Sequence, residues 1–452
     1  MNADERRWAI RSRRIVLPHG CEPAMVIVCG ERIEAVVGHG ESFSGEVMDV
    51  GEMVVMPGLV DTHVHINEPG RTTWEGFETA TKAAAAGGVT TLVDMPLNSS
   101  PVTTTADALA VKRAASVGKC FVDVGFHGGL IHGNAGRMTE LCDAGVLGMK
   151  AFLVHSGIDE FPAAVESDLL EAMKVLSQRG VPLLAHAEVD WTPPDVLPNE
   201  DPRSYARYVA TRPPVWEIQA IEMLIRLSEE TGCWVHVVHL ATEKPLPMLV
   251  AARKRGVKIT VETCPHYLFF TAEEIPDGGT QYKCAPPIRA AETREGLWKG
   301  LLNGAIDMIA SDHSPCPPEM KLLDVGNFGK AWGGICSLQL GLGIVWTQGE
   351  KRGVCVEQIA EWMSGFPAKL AGLKQKGAIA AGKDADLVVW DLAGAATIKG
   401  DELHHRHKVT PYEGETLHGL VRKTFLRGQL IAQDGVVMSP PTGKLLSGRS
   451  NA

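Results

Sequence analysis

No CxxC pair occurs among the ten cysteines, so the chain lacks the paired spacing of a zinc finger or a dithiol redox motif. A chain of 452 residues needs no disulfide staples, and these thiols read as reduced core residues of a reducing compartment, the cytoplasm. No run approaches the roughly 20 apolar residues that a membrane span requires. The alanine run at 83–86 favours helix but is far too short to span. The opening residues, MNADERRWAI, are charged where a secretory signal has an apolar core, and the ending GRSNA is not a Ser-Lys-Leu address, so neither export nor peroxisomal import is expected. Positive charge is not in excess. The net charge is −10, which argues against a nucleic-acid or anionic-membrane surface and says nothing positive about a substrate. No GxGxxG opens a first strand–helix unit, which weakens an open dinucleotide-binding sheet.

Two β-rich flanks enclose an alternating middle. Short apolar runs at 15–17, 25–28 and 33–37 are separated by glycine-rich turns, and the pattern returns at 387–390, 419–426 and 430–437; this is hairpin patterning. Neither flank is long enough for a robust core, so the two are expected to pair into one small β-sandwich domain, residues 1–56 plus 372–452. Between them, residues 57–371, strand-like runs fall at 59–66, 90–96, 121–128, 148–153, 182–188, 234–240, 258–263 and 307–312. Helical stretches such as 168–179 and 217–229 separate them. Strand and helix alternating eight times predict an α/β fold, a (β/α)₈ TIM-like barrel. Its strands are buried on both faces and therefore read as near-continuous apolar runs.

Active sites of such barrels sit at the C-terminal strand ends, and unusual polar residues cluster there. The first strand ends with His63 and His65, two apart and so on one face. Alone, that pair is more often a surface or core feature than a chelate for a metal. Lys150 interrupts an apolar fourth strand, where an unpaired ammonium is costly. Either its head snorkels to the barrel mouth, or CO₂ has converted it to a carbamate that bridges two cations. The fifth and sixth strands end with His186 and His239; His236 stays open as an alternative to His239. The eighth ends with Asp312, able to bind metal and accept a proton, while the neighbouring His313 points elsewhere by alternation. Taken jointly, strands one, four, five, six and eight deliver ligand types at one end. Four histidines, a lysine and an aspartate suit two divalent ions roughly 3.5–4 Å apart. Zn²⁺ comes first, with Co²⁺, Mn²⁺, Ni²⁺ or Fe²⁺ compatible.

This arrangement resembles the binuclear-metal cyclic amidohydrolases, which include dihydroorotases, hydantoinases and allantoinases, over nearly the whole chain. The resemblance implies that His63 and His65 hold the more buried ion and His186 and His239 the other. Lys150, modified by CO₂ to its carbamate, bridges them, and Asp312 is both ligand and catalytic proton carrier. It implies hydrolysis of a ring amide by a metal-bridged hydroxide, and a homotetramer. Dihydroorotases carry Arg where this chain has Asn67, and Asn where it has Leu97, so a substrate lacking their carboxylate is expected; Asn98 allows a one-residue shift at the second position. Hydantoinases place Tyr where this chain has His155, followed by Ser156, and tend to carry Ser at Ala285. Asn67, His155, Ser156 and Ala285 are thus the candidate substrate contacts, with His155 and Ser156 equally readable as residues capping a turn before Gly157. Runs at 65–77 (HINEPGRTTWEGF), 152–162 (FLVHSGIDEFP), 311–316 (SDHSPC), 331–335 (AWGGI) and 407–414 (HKVTPYEG) are similar to the allantoinase branch. That branch implies opening of the hydantoin ring of allantoin, a neutral small molecule, to allantoate. A hydantoinase or dihydropyrimidinase of broad specificity and a non-catalytic scaffold are the competing readings.

Overall fold

The computed structural model describes residues 6–195 and 201–448; the charged stretch 1–5 and residues 449–452, read above for targeting, lie outside them. Eight short parallel strands form the middle of the chain, one at each of the apolar runs. Leu59–Val64 pairs with Val89–Asp94, which pairs with Asp123–Phe126. Past His127 the third strand resumes as Gly128–Leu130 and changes partner to Met149–Phe152. From there Leu183–His186, Val235–Val237, Ile259–Thr263 and Met308–Ile309 follow in parallel order. A parallel bridge between Val64 and His313 links the first strand to the residues just beyond the eighth, and the His65 amide donates to the His313 carbonyl at 2.8 Å. The result is a TIM-barrel-like α/β fold with an additional β domain.

Helices cover the strands because their apolar residues fall on one side. Glu166–Arg179 buries Leu169, Ala172, Met173 and Leu176, and Val215–Thr231 buries Ala220, Ile221, Leu224 and Leu227, both at helical spacing. Each ends on a glycine in the left-handed region, Gly180 at φ 65° and Gly232 at φ 68°, a conformation that a side chain would strain.

Strands from both chain ends share one sheet. Arg7–Leu17, Gly20–Cys29, Arg32–Gly38, Glu46–Asp49 and Val54–Pro57 join Leu387–Thr397, Thr416–Leu426, Gln429–Gln433 and Val436–Val437. The seam is antiparallel, with Leu387 opposite Pro57 and Trp390 opposite Val54. Where a sandwich was expected, all nine strands are hydrogen-bonded into one continuous sheet. That sheet curls over its own core. The rings of Trp8 and Phe425 lie 5.1 Å apart, although their strands are separated by three strand intervals, about 14 Å on a flat sheet.

Candidate active site

His63, His65, Lys150, His186, His239 and Asp312 all line one cavity of about 570 Å³ at the C-terminal strand ends. The Nε2 atoms of His63 and His65 lie 3.2 and 3.3 Å from Asp312 Oδ1. These three side chains offer ligand atoms within 4.8 Å of one another. His239 continues the ring, its centroid 5.4 Å from that of His63 and 4.6 Å from that of His186. Phe152 stacks on His186 at 4.5 Å and presents its face to Lys150 Nζ at 4.9 Å.

Lys150 is 0% exposed, and its Nζ has no hydrogen-bond partner among the described residues. It does not snorkel. Burial lowers its pKa to about 8, against the pull of Asp312 and Glu262, so a fraction of the amine is neutral near physiological pH. Burial also lowers His186 to about 4, despite Glu188, and pushes His65 and His239 below the usual histidine range. Neutral imidazoles are the ligand form. Burial pushes the Asp312 carboxyl upward, but His63 and His65 outweigh it and hold the group well below the usual carboxylate range.

The strand ends are held by carboxylates that the sequence reading did not single out. Glu262, on the seventh strand, bonds His63 Nδ1 and lies 3.0 Å from His236 Nε2. With His63 Nδ1–H donated to Glu262, Nε2 is left for the cavity. His236 also sits 2.9 Å from Thr260 Oγ1 and does not line the cavity, which decides between it and His239. At His239 the backbone takes φ 40°, turning the chain at the strand end. Glu188 lies 2.7 Å from His186 Nε2 and accepts from Arg212 Nε at 3.1 Å, leaving His186 Nδ1 for the cavity. Asp61 accepts from the amides of His63 at 3.1 Å and Ser311 at 3.2 Å, tying the first strand to the eighth. His313 turns its Nδ1 to the amides of Ser337 and Leu338, at 3.3 and 3.4 Å. A carboxylate inside a strand buried on both faces was the available signal for Glu262.

The candidate substrate contacts divide. His155, Ser156 and Ala285 line the cavity; Asn67 does not. Asn67 is buried with its amide 3.3 Å from the Pro315 carbonyl. Leu97 and Asn98 line the cavity instead, with Asn98 Nδ2 3.4 Å from His65 Nδ1. Ser156 Oγ donates to the Phe161 carbonyl at 2.7 Å, and His155 Nδ1 accepts from the Gly157 amide at 3.1 Å. Both side chains are tied into their own turn.

Comparison with known proteins agrees with this architecture. Residues 54–431 match the amidohydrolase family. An allantoinase of Arabidopsis thaliana is 47% identical over 96% of this chain and 90% of its own length. One of Streptomyces avermitilis is 46% identical over 97% and 98%. Among solved structures, an L-hydantoinase (dihydropyrimidinase) of Arthrobacter aurescens superposes with a TM-score of 0.90 at 29% identity, covering 97% of this chain and 99% of that one. In sequence and in fold, the chain belongs to the amidohydrolase family.

Proposed function

We propose that this protein opens the hydantoin ring of allantoin by hydrolysis, giving allantoate, at a centre of two divalent cations. One observation carries the reading: six side chains from five strand ends converge on one buried cavity, and among them stands a lysine with no partner. The residues fit a binuclear centre. Burial holds His65, His186 and His239 neutral, carboxylates engage the far nitrogens of His63 and His186, and the orphaned Lys150 Nζ suits conversion to a carbamate by CO₂. His63 and His65 would hold one ion, His186 and His239 the other, with Lys150 between them and Asp312 beside the first. Zn²⁺ is the first choice for this donor set; Co²⁺, Mn²⁺, Ni²⁺ and Fe²⁺ also fit. Bound there, such ions supply Lewis acidity, lowering the pKa of water and polarising a carbonyl.

The chain's own residues do the rest. Glu262 and Glu188 fix which imidazole nitrogen faces the cavity. Asp312, held ionised, takes a proton at its carboxylate from the attacking water and returns it to the departing ring nitrogen. Arg212 is engaged by Glu188 and Lys283 by the Ala331 carbonyl at 2.6 Å, so neither is free as a fork for a substrate carboxylate. The choice of ring rests on the allantoinase-like runs and on the relatives that carry that name. The finer architecture belongs to the same reading: a closed (β/α)₈ barrel over 57–371, with the chain ends, 1–56 and 372–452, as the second domain. A homotetramer in the cytoplasm completes it, a compartment that ten unpaired cysteines suit. Among the described residues no helix is long and apolar enough to cross a membrane.

The test is a substrate panel with metal measured on the same preparation. Allantoin is expected to exceed hydantoin, dihydrouracil and dihydroorotate in kcat/KM, with about two ions bound per chain. Faster turnover of hydantoin or dihydrouracil would favour the broad-specificity reading. A preparation grown with ample zinc and bicarbonate that binds no metal would leave only a scaffold.

A further inference from the structure

Behind Asp312 lies a second convergence of ligand atoms that the proposed mechanism does not use. Cys264, His266 and Asp312 offer ligand atoms within 4.8 Å of one another, all three residues buried. Cys264 directly follows the seventh strand, Ile259–Thr263, and His266 stands in the short helix Pro265–Phe269 that comes next. Neither lines the cavity. His266 is 0% exposed, and neither of its ring nitrogens has a hydrogen-bond partner among the described residues. A buried imidazole with both nitrogens unsatisfied is costly. Its surroundings add little: Tyr267 meets it edge-on at 4.2 Å.

We infer that Cys264, His266 and Asp312 form a separate inhibitory site for a soft or borderline divalent cation, Cd²⁺ or excess Zn²⁺. A thiolate, an imidazole and a carboxylate are a donor set for such ions. Ligands about 2.0–2.3 Å from a tetrahedral ion stand about 3.3–3.8 Å from one another, so shifts of about 1 Å or so complete the site. Binding is balanced without any redox step. The Cys264 thiol releases one proton and its sulfur binds the cation, neutral His266 contributes a nitrogen lone pair, and Asp312 contributes a carboxylate oxygen. A cation held this way engages Asp312. The carboxylate is then no longer free to take and return a proton, and turnover falls while the resident ions stay in place. Occupancy of this site is independent of the substrate assignment. Only the loss of turnover rests on the role given to Asp312.

The experiment uses the metal-loaded enzyme, titrated with Cd²⁺ under equilibrium dialysis, with ultraviolet absorption, metal content and ring opening followed together. The wild-type protein is expected to take up one further equivalent. A cadmium–thiolate band appears, activity falls about tenfold or more, and no resident ion is released. Cys264→Ala and Cys264→Ser are expected to keep basal turnover and the resident ions while losing both the band and the extra equivalent. His266→Asn should weaken uptake about tenfold. The site is refuted if the wild-type protein shows no band, or if inhibition accompanies release of resident ions. It is equally refuted if the Cys264 variants bind and respond as the wild type does. A band and an extra equivalent with unchanged turnover would uphold the site and overturn the proton-carrying role of Asp312.

Discussion

At the scale of single residues, the centre is a problem of buried polarity. Lys150 is the sharpest case, since a buried ammonium with no hydrogen-bond partner among the described residues is costly. Lys150→Ala is expected to lower ring opening at least about 10²-fold and to reduce bound metal, because a ligand matters no less than the groups that orient it. Short-chain carboxylic acids should restore part of the rate. Wild-type turnover in that variant would make the lysine merely structural. Glu262 acts one step further out. Glu262→Gln keeps the shape and removes the charge that holds His63 Nδ1–H, and is expected to cost about 10–100-fold in metal affinity or activity, read by competition with a chelator and by ring opening. The six cavity residues were legible in the sequence because each is a polar residue at the end of an apolar strand, where little else explains it. Glu262 was not. Its partner His63 lies 199 positions away; a carboxylate inside a buried strand signals that it has a partner but not which one. Asn67 was misplaced for a related reason: it follows the first strand, yet its backbone takes φ 66° and its amide turns to Pro315.

At the scale of elements, the eight strands were legible and their ends less so. The helix expected at 168–179 runs Glu166–Arg179, and the one expected at 217–229 runs Val215–Thr231. Apolar periodicity begins only after the first turn, so a reading by pattern starts late. The residue that fixes the earlier start is Asp168. Its carboxylate reaches back to the Val165 amide at 3.0 Å and also accepts from the Gly133 amide at 3.1 Å and from His132 at 2.9 Å. The first of these is the backward half of a capping box. Burial would raise this carboxyl, but the bonds from His132 and the two amides outweigh it and hold it below its ordinary value of 3.8. A depressed value in the folded state gives stabilisation that is complete above the ordinary value and is lost as pH falls through the folded one. Asp168→Asn should therefore cost about 1 kcal/mol near neutrality, and the gap from wild type should close below about pH 4. Urea denaturation at a series of pH values measures both. A gap that stays constant into acid would remove the carboxylate from the account of this helix.

At the scale of the whole molecule, the sheet built from strands of both chain ends has to be fastened to the TIM-barrel-like α/β region between them. The flanks were expected to pair because strand patterning stops at one end of the alternating region and resumes at the other, and strands from both share one sheet. The sequence did not show how they are fastened, since the fastening is a charge cluster drawn from four distant segments. Lys376 Nζ lies 2.6 Å from Asp123 on the third barrel strand, and 2.7 and 2.9 Å from Asp386 and Asp384 at the entry to the returning β strands. Arg427 pairs with Asp123 from the other side, and its amide donates to Asp386 at 2.8 Å. The Lys444 amide donates to Asp123 at 2.7 Å, and the tail lies along Val124, bonded to it through Lys444 and Leu446 at 2.9 and 2.8 Å. Burial pushes Asp123 upward, but Lys376 and Arg427 more than reverse it; Asp386 shares the same ammonium and is nonetheless raised by its own burial. Lys376 and Arg427 thus share the neutralisation of acids that cannot all be solvated. Lys376→Met preserves volume and leaves those acids without it, a change expected to cost about 3–5 kcal/mol near neutrality. The sign with pH follows from the acids. Wild-type stability drawn from Asp123 is present above its ordinary value of 3.8 and is lost as pH falls through the lower folded one. In the variant the same acids relieve their cost by taking up protons. The two proteins should therefore differ most near neutrality and converge in acid, measured by denaturant titration at both pH values. If the difference were small and flat with pH, the domains would be joined by their apolar contacts, and this buried cluster would serve only to fix their register.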